Sequence, residues 1–155
     1  MKVGEVMTTK VVQVREDDSV SRVRRVLGEQ QFHALPVVDA WGYLTGIITS
    51  SDFIGIQGDE ARLPVKSVMQ RRVFTIPETV ELRLVARFMG EHRVRHLVIV
   101  RGGMVHGIIS TFDLLSAMAV ETASTERSAK SQDPRAVLEQ HGLRFVDSLS
   151  SSDDS

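Results

Sequence analysis

Two heptapeptides carry the side chains best suited to chemistry, GIITSSD at 46–52 and GIISTFD at 107–113. Each places a hydroxyl residue, Thr49 or Ser110, three positions before an aspartate, Asp52 or Asp113. That spacing admits two roles. As a capping box, the hydroxyl accepts from an amide in the first helical turn and the carboxylate reaches back to the N–H of the cap, worth about 1 kcal/mol. As a ligand grip, the helix N-terminus attracts phosphate through its free N–H groups and positive dipole end. The aspartate then accepts from paired hydroxyls such as those of a ribose, at roughly 1.5–3 kcal/mol for each bond to the charged group. Thr49 or Ser110 would hold a second sugar or phosphate oxygen. Gly46 and Gly107, without side chains, would let a ring lie close to the strand backbone. Both roles stay open at this level.

The elements that must position these residues come from a duplication. VGEVM at 3–7 matches VKSVM at 65–69, and LGEQQFHALPVV at 27–38 matches MGEHRVRHLVIV at 89–100, both at an offset of 62. The heptapeptides are offset by 61, so one residue is lost between DAWGYLTG and RGGMVHG, as befits a turn that can change length. Within each copy, VVQV (11–14) and VFTI (73–76) are β-branched-rich strand candidates. Val20, Val23, Val26 and Leu27 then fall at helical spacing, as do Leu82, Val85, Phe88 and Met89, with Arg22, Arg25, Arg83 and Arg87 on the other faces. Gly28 and Gly90 are the expected left-handed helix stops. ALPVVD with YLTGIIT, and HLVIVR with MVHGIIS, read as hairpins turned by AWG and GG. A last helix is expected from each aspartate, over DFIGIQ and DLLSAMAV. The fold class is thus α/β (α+β): two β-α-β-β-α repeats, over 1–60 and 61–120, packed with pseudo-two-fold symmetry and joined by GDEARLP (58–64). Lobes this small are marginal alone.

Composition excludes several classes. The 155-residue chain has no cysteine, which removes disulfides, thiolate metal sites and a cysteine nucleophile. A formal charge of −1 argues against a nucleic-acid partner. In SRVRRVLG the valines take the buried stripe, leaving the arginines as a solvent face. No run approaches the roughly 18 apolar residues of a membrane span, and the first residues lack a signal-peptide core. A cytoplasmic location is the expectation.

VMTTKVVQV with VMQRRVFTI, HALPVVDAWGYLTGIITSSDF and RHLVIVRGGMVHGIISTFDLL together resemble a tandem pair of cystathionine beta-synthase (CBS) domains, a Bateman module. The resemblance covers about 120 residues. It departs visibly where Val98 replaces the more usual proline, present in the first copy as Pro36. It implies a disc with a cleft on each side, each able to hold an adenosine ligand: AMP, ADP, ATP or S-adenosylmethionine. The motif aspartate would hold the ribose, and the adenine would lie against the first strand and pre-hairpin segment of the other copy. One cleft would combine Thr49 and Asp52 with Arg72, Val73, Val94 and Arg95. The other would combine Ser110 and Asp113 with Lys10, Val11, Phe32 and His33. Arg71, Arg72, Arg93, Arg95 and His96 make the Asp52 cleft the more cationic, so it is expected to favour polyphosphates. The resemblance also implies a homodimer through the apolar last helices. The functional expectation is a regulatory module, not an enzyme, that signals to an unidentified effector protein. The alternative is a dimerising scaffold that binds no ligand.

Three further features carry weaker expectations. His92 and His96 are four apart, but the chain between them should be leaving a helix, so a metal site is not expected. Either Trp41 or Tyr43 at the hairpin tip marks a partner site, or one of them folds back on its sheet. Residues 121–155 form a polar tail: DPRAVLEQHG has an Asp cap, Pro at the first helical position and Gly at the end, and SLSSSDDS is expected to be disordered.

Overall fold

A computed structural model describes residues 1–30, 32–121 and 133–148. Among these residues seven strands and four α-helices run in the order β1 (Val14–Arg15), α1 (Val20–Gln30), β2 (Ala34–Val38), β3 (Leu44–Thr49), β4 (Arg72–Ile76), α2 (Leu82–His92), β5 (His96–Arg101), β6 (Met104–Ser110), α3 (Thr111–Glu121), α4 (Pro134–Gln140) and β7 (Arg144–Asp147). One sheet has the order β1-β2-β3 and the other β6-β5-β4-β7. In both copies the first strand runs parallel to the second, Val14 opposite Val37 and Thr75 opposite Val98. The helix between them supplies the crossover that a parallel pair requires. The mixed α/β class and the strand-helix-hairpin rhythm are as expected from the sequence.

The chain divides into two compact units. The β1–β3 unit holds Val11–Val73, Gly102–Val105 and the described residues from Phe145 on. The α2–α4 unit holds Met1–Lys10, Phe74–Arg101 and the described residues of His106–Arg144. These units cut across the sequence repeats in a regular way. Val3, from VGEVM, is fully buried in the core of the α2–α4 unit with Leu82, Val85, Phe88, Leu97 and Ile109. Its counterpart Val65, with Met69, is buried in the core of the β1–β3 unit with Val20, Val23, Leu35 and Ile48. Each repeat's opening segment therefore completes the apolar core built from the other repeat's helix and hairpin.

Several local expectations are corrected. Gly28 and Gly90 lie inside α1 and α2, where a Cβ would meet nothing, and the left-handed residue after α2 is Arg93 at φ 54°. VVQV contributes only Val14 to a strand. DFIGIQ forms no α-helix: a single 3₁₀ turn over Ser50–Phe53 ends at an extended Ile54, and Gly55 follows at φ +78°. A β-branched residue followed by a glycine free to turn left-handed offers little support to a helix of this length. In the second copy the helix is complete and starts at Thr111, which puts Asp113 inside the first turn.

At the hairpin tip neither aromatic is buried: Tyr43 lies against the turn of the second hairpin, where a Cβ on Gly103 would lie 2.8 Å from Tyr43 Cδ1, and Trp41 is 78% exposed. The expected C-terminal helix is α4, with Asp133 accepting from Arg135 N–H at 3.0 Å, Pro134 in the first turn and Gly142 just beyond at φ +106°. It is docked: Leu138 and Leu143 are buried in the α2–α4 core. Strand β7 was not foreseen. Most of the expected disordered stretch, 149–155, lies outside the described residues.

Candidate functional site

Each motif sits where a strand hands over to a helical turn. At the end of β3, Thr49 N–H and Thr49 Oγ1 both donate to Asp52 Oδ2, at 2.7 and 2.9 Å. At the end of β6, Ser110 N–H and Oγ donate to Asp113 Oδ2, both at 2.8 Å, and Asp113 N–H returns a bond to Ser110 Oγ at 3.2 Å. The capping box is therefore formed in both copies, and it uses one carboxylate oxygen. The other oxygen decides what more the aspartate can do. Asp52 Oδ1 accepts from Gln70 Nε2 at 3.1 Å. Asp113 Oδ1 accepts no hydrogen bond among the described residues. Both aspartates are half-buried.

The motif glycines have a different purpose from the one expected. A Cβ on Gly46 would lie 2.6 Å from Met69 Sδ and 2.8 Å from Gln70 O. One on Gly107 would lie 2.7 Å from Met7 Sδ and 3.2 Å from Thr8 O. The space beside each strand is filled by the opening segment of the other repeat, so no ring can lie there. That segment is pinned by paired backbone bonds, Gln70 with Ile47 at 2.9 Å in both directions and Thr8 with Ile108 at 2.9 and 3.0 Å.

Of the residues expected with Asp52, Thr49, Arg72 and Val73 share its unit, while Val94 and Arg95 belong to the α2–α4 unit. Val73 is buried, whereas Arg72 is exposed and lies 3.7 Å from Asp147 of β7. Of those expected with Asp113, Ser110 and Lys10 share its unit, while Val11, Phe32 and His33 belong to the β1–β3 unit. Phe32 and His33 line a groove of about 550 Å³ with Arg24, Leu27, Ser50 and Phe53. The Arg95 carbonyl accepts from Thr111 N–H at 3.0 Å, one residue beyond Ser110.

A second groove, of about 560 Å³, lies in the α2–α4 unit and contains Asp113 together with Met1, Glu5, Val6, Ser116 and Ala117. Glu5 and Ser116 were not singled out from the sequence. The only signal for Ser116 is its place three residues after Asp113, which puts it on the same helical face.

His92 ends α2 with its ring against Phe88, at 4.9 Å between centroids, while His96 opens β5. The two histidines are thus on different elements. His92 instead lies within ligand-set distance of Glu91 and Asp133, all three exposed.

Comparison with known proteins agrees with this architecture. The CBS domain family model matches residues 3–59 and again 65–120, so the chain belongs to the CBS-domain family and carries a tandem pair. The magnesium transporter MgtE of Thermus thermophilus is 32% identical over 126 residues, 76% of this chain and 27% of the transporter. The match spans 32%, 27% and 44% of the length of three curated relatives, which extend well beyond it. The CBS domain of a CBS-domain-containing membrane protein from Sphaerobacter thermophilus superposes at TM-score 0.68 and 29% identity, over 75% of this chain and 86% of that one. A CBS domain pair solved with 5′-methylthioadenosine and S-adenosyl-L-methionine has the same fold, at TM-score 0.70 and 23% identity, over 78% and 98% of the two chains. No helix among the described residues is long and apolar enough to cross a membrane.

Proposed function

We propose that this chain is a regulatory module that binds an adenosine-containing ligand, AMP, ADP, ATP or S-adenosylmethionine, and passes that signal to a partner protein. The observation that carries the reading is Asp113 Oδ1, which accepts from no described residue and is held in the first turn of α3 by a capping box that engages only the other oxygen. A preoriented carboxylate oxygen beside a groove suits the hydroxyl pair of a ribose, and the fixed geometry spares the ordering cost that a free side chain carries. Ser110 belongs to the same grip, and Lys10 supplies a cation for a phosphate or carboxylate. In the β1–β3 unit Thr49, Asp52 and Arg72 have the corresponding roles. The ligand found with the related CBS pair supports adenosine chemistry. Among the described residues no nucleophile is paired with a base around either aspartate, and the module acts by differential affinity for two conformations.

Thermal unfolding of the full chain with each of the four ligands tests this. Ligand at about 100 times its dissociation constant stabilises by about 2.7 kcal/mol, near 5–10 °C for a chain of this size. An unchanged melting temperature with all four rejects the reading.

A second reading, a dimerising scaffold, is favoured by the outer side of α3, where Phe112 is 74% and Leu115 70% exposed. We infer a homodimer through this helix. Phe112→Glu should yield a monomer by sedimentation, and a wild-type chain that is already monomeric removes this interface.

A further inference from the structure

The two aspartates of this duplicated chain are not equivalent, and the difference traces to one residue pair. In the β1–β3 unit, Gln70 Nε2 lies 3.1 Å from Asp52 Oδ1 and 3.3 Å from Oδ2. The amide thus donates to the oxygen that the capping box leaves over. At the repeat offset of 62, the counterpart of Gln70 is Thr8. The two backbones do the same thing, each pairing with the isoleucine two positions before the strand's hydroxyl residue. Their side chains do not: threonine is too short, and Asp113 Oδ1 accepts nothing among the described residues.

We propose that Gln70 is an internal stand-in for a ligand hydroxyl, so that the Asp52 site is occupied by the chain itself and the Asp113 site binds first. This rests on the function proposed above and adds which half of the module responds. An amide N–H on a carboxylate makes the same charge-assisted bond that a sugar hydroxyl would make. A sugar arriving at Asp52 must displace it, and one arriving at Asp113 meets a free acceptor. The cation expected at the Asp52 site is engaged too: Arg72 lies 3.7 Å from Asp147 and its guanidinium sits 6.0 Å from the Phe145 ring centre. The inference thus reverses the ranking that the arginine count suggests. Charge near a site raises affinity only when it is not already answered by the protein.

Calorimetric titration of the full chain with AMP, ATP and S-adenosylmethionine tests it, using Asp52→Asn, Asp113→Asn and Gln70→Thr. Asparagine keeps an oxygen for the cap, so folding is retained. The wild type should show a tight site that Asp113→Asn abolishes and Asp52→Asn leaves in place. Gln70→Thr, which copies Thr8, should strengthen the Asp52-dependent event about three- to tenfold, and adding Asp52→Asn should remove that gain. Independently of any ligand, the Gln70 side-chain amide resonance should move in Asp52→Asn and stay put in Asp113→Asn. A wild-type tight site lost with Asp52→Asn, or no gain in Gln70→Thr, overturns the inference while leaving adenosine binding intact. An amide resonance blind to Asp52→Asn overturns it as well. Absence of binding to every variant overturns the proposed function and this inference with it.

Discussion

Gly46→Ala should cost far more stability than Gly107→Ala, although the two glycines are the same residue of the same motif. An alanine Cβ at 46 lies 2.8 Å from Gln70 O and 2.6 Å from the sulfur of Met69, which is only 7% exposed. The carbonyl cannot rotate away, because Gln70 is pinned to Ile47 by two backbone bonds of 2.9 Å. Restoring an ordinary 3.4 Å contact requires about 0.6 Å of backbone displacement, which carries those bonds past their normal range. At 107 the close atom is the sulfur of Met7, half-buried and flexible, and Thr8 O is already 3.2 Å away. Overpacking of a tight site costs about 1–3 kcal/mol. Position 46 belongs near the top of that range and position 107 near the bottom. For a chain of this length that means falls of about 5–10 °C and about 2–4 °C in melting temperature. Urea unfolding and thermal melts of both variants measure the difference. Equal losses, or the larger loss at 107, would refute the reasoning. Two normally folded variants that fail to bind nucleotide would restore the idea that these glycines make room for a ring.

Leu138→Ala should lower stability by about 2–5 kcal/mol in urea unfolding, because the side chain is fully buried in the α2–α4 core; a loss under 1 kcal/mol would show that α4 is not docked. Arg93→Gly should raise stability by about 0.5–1 kcal/mol, since Arg93 holds a left-handed backbone at φ 54° that glycine adopts freely, while Arg93→Ala should be close to neutral. Glu78 is held below its ordinary value of 4.5, chiefly by the hydrogen bond from Arg101 at 2.8 Å, with the His106 ring also 2.9 Å away. Its contribution is complete above that value and fades as pH falls through the lowered one, so on acidification below the ordinary value Glu78→Gln should lose less stability than wild type. Parallel acid profiles for the two proteins would contradict this.

Much of the fold was legible in the residues because the chain repeats itself. Two independent copies of one pattern separate the positions that matter from chance periodicity. The α1 and α2 stripes, the hairpins and the class followed from periods of 3.6 and 2. Where the copies diverge, the reading weakened. DFIGIQ shares its aspartate with DLLSAMAV, but Gly55 and Gly58 stand where the second copy has Ser116 and Ala119, and only a 3₁₀ turn forms. The short β7 was hidden because Arg144–Asp147 has no alternation strong enough to stand out, and its pairing is non-local.

The aspartates, their hydroxyl partners and their place at a strand-to-helix handover belong to the sequence alone, since a capping box is closed within four residues. So does the family, because duplicated motifs in a fixed order are a linear property. Three things required the tertiary structure. The opening segment of each repeat completes the core of the other, which fills the space beside Gly46 and Gly107. The C-terminal helix docks rather than trailing. The two aspartates end up unequal, because Gln70 reaches Asp52 across 18 residues of chain and Thr8 does not reach Asp113. Local spacing determines what a side chain can offer, whereas occupancy depends on which distant atoms folding brings within hydrogen-bonding distance.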